Sequence, residues 1–218
     1  MAMRALPIFK YINSSCIFIG GSTLTMVNDI FVGANFIESI TNPQRTSYYL
    51  NNKVKLREAL NVIEKNTKYE IYILCLGFGD SLFEIKNGFI SRKFGYLMHG
   101  QFRNLLKIVL LCFFIYRPST SLKSFKNETK KILDLIPLTA SVIYIINLPN
   151  NVFWLRNKHR KFYSNHLKKS IINHGFNHSK ILDISNLDES YRSLDSHHLN
   201  SEGAEHLHKK IEAALDKN

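Results

Sequence analysis

The stretch CIFIGGS, residues 16 to 22, is the first part of the sequence with a clear structural pattern. Its first four residues, Cys16 to Ile19, are apolar, and their branched and aromatic side chains are typical of a buried β-strand. Two glycines follow, and glycine lets the chain turn sharply and lets a ligand approach the backbone closely. We therefore predict a buried strand that meets a turn at Ser22.

Three further short apolar runs read as strands, at Ile71–Leu76, Val142–Ile146 and Ile181–Ile184. Helix-compatible stretches lie between them, at Asn52–Lys65, Phe102–Tyr116, Leu122–Leu135 and Trp154–Asn173. The segment from Asp29 to Ile40 is ambiguous and is compatible with another short strand. Strands that alternate with helices predict an α/β fold, a doubly wound and mainly parallel sheet with helices on both faces. The 218 residues are expected to form a single domain, 1–218.

Polar residues follow each predicted strand. Ser22 follows the first, Gly77 to Asp80 the second and Asn147 the third, while Asp195 and His198 come soon after the fourth. Ligands in open α/β sheets bind beyond the carboxyl ends of the strands, so these segments are expected to open onto one edge.

Ser22, Asp195 and His198 are the groups that a serine nucleophile requires. A serine hydroxyl needs an imidazole to take its proton, and the imidazole needs a carboxylate to fix its tautomer. Asp195 precedes His198 by three residues, so one loop can deliver both groups. A helix should follow, since Ala204, Leu207, Ile211, Ala214 and Leu215 recur at helical spacing, with Asn200 or Ser201 as N-cap and Glu202 in the first turn.

These motifs resemble the SGNH (GDSL-type) hydrolase family over roughly residues 16 to 215. Gly20-Gly21-Ser22 is similar to its first block, and Asp195 to His198 with Leu199, Asn200 and Gly203 is similar to its last. Gly77-Phe78-Gly79-Asp80 matches the middle block in part, and Gln44 to Ser47 lies where the second block is expected.

The resemblance implies a flavodoxin-like fold, no cofactor, and a triad of Ser22, His198 and Asp195. It implies an acylated carbohydrate or small-ester substrate, most often an acetyl ester. Hydrolysis and acyl transfer both stay open. The oxyanion donors would be the Ser22 amide with amides near Thr46 or Gly79. Gly21 and Gly79 replace the aspartate and asparagine of the family pattern, and the second-block glycine has no clear counterpart. Gly79 and that missing glycine indicate the alternative, a non-catalytic glycan- or polyanion-binding module on this fold.

The candidate residues also have simpler roles. Ser22 is compatible with a helix N-cap, and Asp80 with holding the serine loop through backbone hydrogen bonds. Asn147 is compatible with substrate contact or with an ordinary turn. A metal site would use His197, His198, His206 and His208 near Asp195. Two adjacent histidines rarely converge on one ion, and His206 and His208 lie on different faces of the predicted helix, so we predict no metal.

The formal net charge of +12 raises the question of an acidic partner. Basic residues concentrate between Arg156 and Lys169, where Phe162, Tyr163 and Leu167 intervene, and we predict an amphipathic helix with a solvated basic face. An acidic glycan, an acidic carrier or a membrane surface remain open as partners. A nucleic acid is a third and weaker option, since no recognised binding motif occurs.

Near the N-terminus, the segment after the first basic residues does not have the pattern of a signal peptide. The longest apolar run, Ile108 to Tyr116, is too short to span a membrane. That run is expected to be a buried helix, with a docking face as the alternative. Three widely spaced cysteines, Cys16, Cys75 and Cys112, lie in apolar runs and predict buried free thiols. We therefore expect a cytoplasmic location, and the sequence leaves the oligomeric state open.

Overall fold

The computed structural model describes residues 16–20, 45–49, 55–77, 80–81, 83–85, 116–146, 148, 154–193 and 199–215. The strands of this part are β1 (Cys16–Gly20), β2 (Arg45–Tyr49), β3 (Ile71–Leu74), β4 (Phe83–Ile85), β5 (Tyr116–Pro118), β6 (Ser141–Ile146) and β7 (His178–Asp183). The helices are α1 (Leu56–Glu64), α2 (Leu122–Leu135), α3 (Trp154–Asn173) and α4 (Ser201–Leu215), and a short 3-10 helix spans Glu189–Tyr191.

The main sheet has five strands in the order β2-β1-β3-β6-β7. Every neighbouring pair in it is parallel. The chain moves from β1 to β2 on one side, and then returns to build β3, β6 and β7 on the other. This is the flavodoxin-like strand order, in which the crevice for ligands lies beyond the carboxyl ends of the two strands where the direction changes, here β1 and β3.

The two faces of the sheet are buried under different helices, because successive strand residues point to opposite sides. One apolar cluster joins β1, β3 and β6 to α1, α2 and α3, and includes Ile17, Ile19, Tyr72, Leu74, Val142 and Tyr144. The other joins the same strands to α4, and includes Cys16, Phe18, Ile73, Ile143, Leu207 and Ile211. Helices therefore cover both faces, which confirms the predicted architecture.

Most predicted elements are present with small changes in their ends. The helix predicted over Leu122–Leu135 has those bounds, and the one over Trp154–Asn173 is also confirmed. Strand β7 begins three residues earlier than predicted, at His178. Strand β2 was not predicted, since the sequence RTSYY is mixed in polarity and suited to the edge of the sheet.

The prediction of a helix over Phe102–Tyr116 is wrong at its end, because Tyr116 is the first residue of β5. Strand β5 pairs with β4 in a separate two-stranded antiparallel sheet. The rest of that predicted helix, and the ambiguous segment from Asp29 to Ile40, lie outside the described residues. Within the described ranges, no helix has the length and apolar character needed to cross a membrane.

Candidate active site

The described residues include only part of the predicted site. Ser22, Gly21, Gly79, Asn147, Asp195 and His198 lie outside them. Thr46 and Asp80 are described, as are Gly20 before Ser22 and residues on both sides of the other undescribed segments. The structure therefore gives the geometry of the strand and helix ends that adjoin these segments in the chain.

Strands β1 and β3 end side by side. Gly20 is the last residue of β1, and the Ile19 carbonyl accepts a hydrogen bond of 2.9 Å from the Cys75 N–H just beyond β3. Gly77 follows with φ of +85°, a left-handed conformation that favours glycine. The chain thus turns away from the sheet soon after β3. Thr46 pairs with Ile17 inside β2, three residues or about 10 Å before the end of that strand.

Asp80 lies at a fully buried junction beyond β3. Its Oδ2 accepts a hydrogen bond of 2.8 Å from the Leu56 N–H, the first amide of α1. The preceding residue, Lys55, makes no side-chain cap. Helix α1 is therefore capped by a carboxylate that lies 24 residues away in the chain.

The same carboxyl group also holds the segment between β5 and α2. The Thr120 hydroxyl donates to Asp80 Oδ1 at 2.6 Å, and the Thr120 N–H donates to the Asp80 carbonyl at 3.2 Å. The Tyr163 hydroxyl of α3 then donates to the Thr120 carbonyl at 2.7 Å. Hydrogen bonds through Asp80 thus connect α1, α2 and α3 at the carboxyl edge of the sheet.

Burial raises the pKa of Asp80 to about 6. The hydrogen bonds from Thr120 and Leu56 stabilise the ionised form and oppose this change, but they do not cancel the cost of removing the charge from water. Asp80 is therefore mostly ionised at pH 7 and protonated under mildly acidic conditions.

The segment that contains Asp195 and His198 is closed at its base. Arg192 and Leu199 form an antiparallel bridge, so the six residues between them begin and end at the same place. The Arg192 guanidinium donates from both Nε and Nη2 to the Leu187 carbonyl, which fixes the chain on the incoming side. Leu199 is completely buried in the cluster beneath α4, which fixes the outgoing side.

Asn200 joins this loop base to α4. Its Oδ1 accepts from the Gly203 N–H at 2.8 Å, the geometry of an N-cap, which confirms the predicted start of the helix. Its Nδ2 donates to the carbonyls of Ser190 and Arg192, at 2.6 and 3.3 Å. Its own N–H donates to the Tyr191 carbonyl at 3.0 Å. One side chain thus caps the helix and clamps the chain on the other side of the loop.

Gly203 allows this close contact. A Cβ atom at this position would lie 2.2 Å from the Tyr191 carbonyl oxygen, so any other residue would force the chain apart. The Tyr191 ring stacks on His206 of α4, with centroids 4.8 Å apart. His208 points the other way and is buried, with Nε2 3.4 Å from Glu212. Among the residues described, no three potential ligands group around a metal ion.

Arg160 is a buried basic residue that the sequence analysis assigned to a solvated face. It is only 5% exposed, and burial lowers its pKa to about 10, so that it stays charged at neutral pH. Burial likewise raises the pKa of Cys75 to about 12, opposed by the charge of Arg160. Because only a thiolate is an effective nucleophile, Cys75 is excluded as one at neutral pH. Cys16 and Cys75 are buried free thiols, as predicted, and Cys112 lies outside the described residues.

Sequence reasoning did not identify the roles of Thr120, Tyr163 and Arg160. For Arg160 a signal was present. The buried stripe of α3 follows it at intervals of three, four, seven and eleven residues, at Tyr163, Ser164, Leu167 and Ile171. For Thr120 the sequence holds no such signal, since its partner is 40 residues away.

The comparisons with known proteins establish the fold. No family model matches the sequence, and no curated protein matches it. Among solved structures, the chain is similar to the acetyl xylan esterase Axe2 from Geobacillus stearothermophilus, with 10% identity, a TM-score of 0.52, and coverage of 94% of this chain and 95% of that chain.

Two substituted forms of Axe2 give similar values. One has a TM-score of 0.55 with 93% and 94% coverage. The other, described as an acetyl-xylooligosaccharide esterase, has a TM-score of 0.50 with 94% and 95% coverage. Both share 10% identity with this chain. The chain therefore has the α/β fold of these esterases over nearly its whole length.

Proposed function

We propose that this protein is a member of the SGNH hydrolase family, a serine-dependent esterase or O-acyltransferase that acts on an acetylated carbohydrate. The proposal depends mainly on one observation, that residues from the two ends of the chain pack into the same apolar cluster. Phe18 of β1, four residues before Ser22, lies in the same apolar cluster as Leu199, which follows His198 directly. The fold shared with acetyl xylan esterases supports an acetyl ester of a sugar as substrate.

In the proposed reaction, His198 takes the proton of the Ser22 hydroxyl while Asp195 stabilises the imidazolium that forms. The serine oxygen attacks the ester carbonyl, and the C–O bond to the sugar breaks as His198 returns the proton to the departing sugar hydroxyl. The acetyl-enzyme then transfers its acetyl group to water, giving acetate, or to another sugar hydroxyl, giving a new ester.

Backbone amides hold the oxyanion in this proposal. We assign them to Ser22 and to the segment of Gly79, whose described neighbours in the chain, Gly77 and Asp80, come just after β3. Thr46 is about 10 Å before the end of its strand and is a less suitable donor. Asp80 would not transfer a proton in the reaction. Its hydrogen bonds to Leu56 and Thr120 would fix the end of the donor segment.

The test is the deacetylation of an acetylated xylooligosaccharide, measured as acetate release. Ser22→Ala should lower kcat by about 10⁴-fold or more, because the attacking hydroxyl is lost. Ser170→Ala, a partly exposed serine of α3, is the matched control and should keep full activity. A fluorophosphonate should label the wild-type protein at Ser22. A folded wild-type protein that is neither labelled nor active would instead be the glycan-binding module.

A further inference from the structure

The outward side of α3 carries an unusual combination of side chains. The helix has no aspartate or glutamate anywhere between Trp154 and Asn173. Its buried stripe consists of Arg160, Tyr163, Ser164, Leu167 and Ile171. The opposite side, which we call the α3 outer face, consists of Lys158, Lys161, Phe162, Asn165, Lys169 and Ile172, all of them exposed.

Large apolar side chains are exposed on this face. Phe162 is 53% exposed and Ile172 is 52% exposed, about 15 Å apart along the helix axis. Leu138, 56% exposed, is the third large hydrophobic residue exposed in the described part of the chain. It lies near the end of the same helix, since its carbonyl accepts a hydrogen bond of 2.7 Å from the Asn177 N–H. The exposed apolar residues therefore concentrate around α3.

We propose that the α3 outer face docks on an anionic phospholipid membrane surface. Lysines attract the negative headgroups, and their aliphatic stems let the ammonium groups stay at headgroup level while Phe162 and Ile172 enter the acyl boundary. A second copy of this chain is a poor occupant, because two lysine faces without a carboxylate repel each other. An acidic glycan could pair with the lysines, but it has no apolar region in which Phe162, Ile172 and Leu138 could be buried.

The experiment is co-sedimentation of the full chain with vesicles. Wild type should bind vesicles of phosphatidylcholine and phosphatidylserine in about equal amounts, and should not bind phosphatidylcholine alone. Each lysine at an anionic surface contributes about fivefold in affinity, so Lys158→Gln, Lys161→Gln and Lys169→Gln together should weaken binding on the order of 100-fold. The matched control combines Lys65→Gln, Lys68→Gln and Lys210→Gln, which make the same charge change elsewhere. It should bind within about threefold of wild type.

Phe162→Ser with Ile172→Ser tests the apolar part and should weaken binding on the order of tenfold. All of these side chains are exposed, and thermal unfolding of each variant checks that it folds as wild type does. The proposal is overturned if wild type ignores anionic vesicles, if it binds polygalacturonate but no vesicle, or if the two lysine triples lose affinity equally. Unchanged binding of the Ser variant would also overturn it, because simple attraction between charges would then suffice.

Discussion

The Asp80 junction and the Arg192–Leu199 bridge, the base on either side of residues 193–198, are held together by different means. Asp80 is a fully buried carboxyl group whose partners come from α1 and from the segment before α2. The loop base instead depends on the Asn200 amide, the Arg192 guanidinium and backbone carbonyls, several of which are partly exposed. One support therefore depends on a buried carboxyl group, and the other has no carboxyl group among these hydrogen bonds.

This difference predicts that pH affects the stability of the Asp80 junction. Added side-chain volume should instead affect the loop base. A buried carboxyl group is costly to ionise and so responds to pH. Hydrogen bonds between amides and carbonyls do not titrate, but they demand close approach of two chains, which a single methyl group can prevent.

The largest expected effect is the pH dependence due to Asp80. The pKa is 3.8 in the unfolded chain and about 6 in the folded protein, so between these values the folded state holds a proton that the unfolded state has lost. This contribution to stability is fully present below pH 3.8, falls by about 3 kcal/mol as the pH rises to about 6, and is constant above that.

Urea unfolding of wild type and Asp80→Asn at a series of pH values measures this effect. The difference between their unfolding free energies should change over that window and level off near neutral pH. Asp134→Asn, at an exposed aspartate of α2, is the control and should show no such change. Parallel pH profiles for wild type and Asp80→Asn would mean that the carboxyl group is not desolvated as described.

The next effect concerns Gly203. Replacement by Ala puts a methyl group 2.2 Å from the Tyr191 carbonyl oxygen, and the overpacking should cost about 2 kcal/mol of unfolding free energy despite the better helix propensity of Ala. The separation of α4 from the loop base should also lower kcat on the order of 100-fold in acetate release. Lys210→Ala, on the exposed side of the same helix, should change stability by no more than about 0.5 kcal/mol. Equal stability of the two variants would contradict the contact.

The smallest effect separates the two roles of Asn200. Serine can still cap α4 but is too short to reach the carbonyls of Ser190 and Arg192, so Asn200→Ser should cost about 1 kcal/mol. Asn200→Ala also loses the cap and should cost about 1 kcal/mol more. The kcat of Asn200→Ser should fall about tenfold at every pH. A loss of stability with unchanged kcat would show that the clamp does not serve the loop.

The predictable parts of this fold are those written in local patterns. Apolar runs identified β1, β3 and β6, and the spacing of Ala204, Leu207 and Ile211 identified the buried stripe of α4. The N-cap of α4 was narrowed to Asn200 or Ser201 because capping is a contact between near neighbours in the chain, and the structure selects Asn200. Strand β2 was missed because an edge strand needs no continuous apolar run, and β5 because its partner, β4, lies more than 30 residues away.

The sequence by itself determined the alternation of strands and helices and the chemical groups of the predicted site, since both follow from residue type and short spacing. The tertiary structure decided which remote groups meet: that Asp80 caps α1, that Thr120 and Tyr163 continue this network, and that Arg160 lies inside. The physical reason is that these contacts join residues tens of positions apart. Burial, which sets the cost of their charges, exists only once the sheet and its helices have packed together.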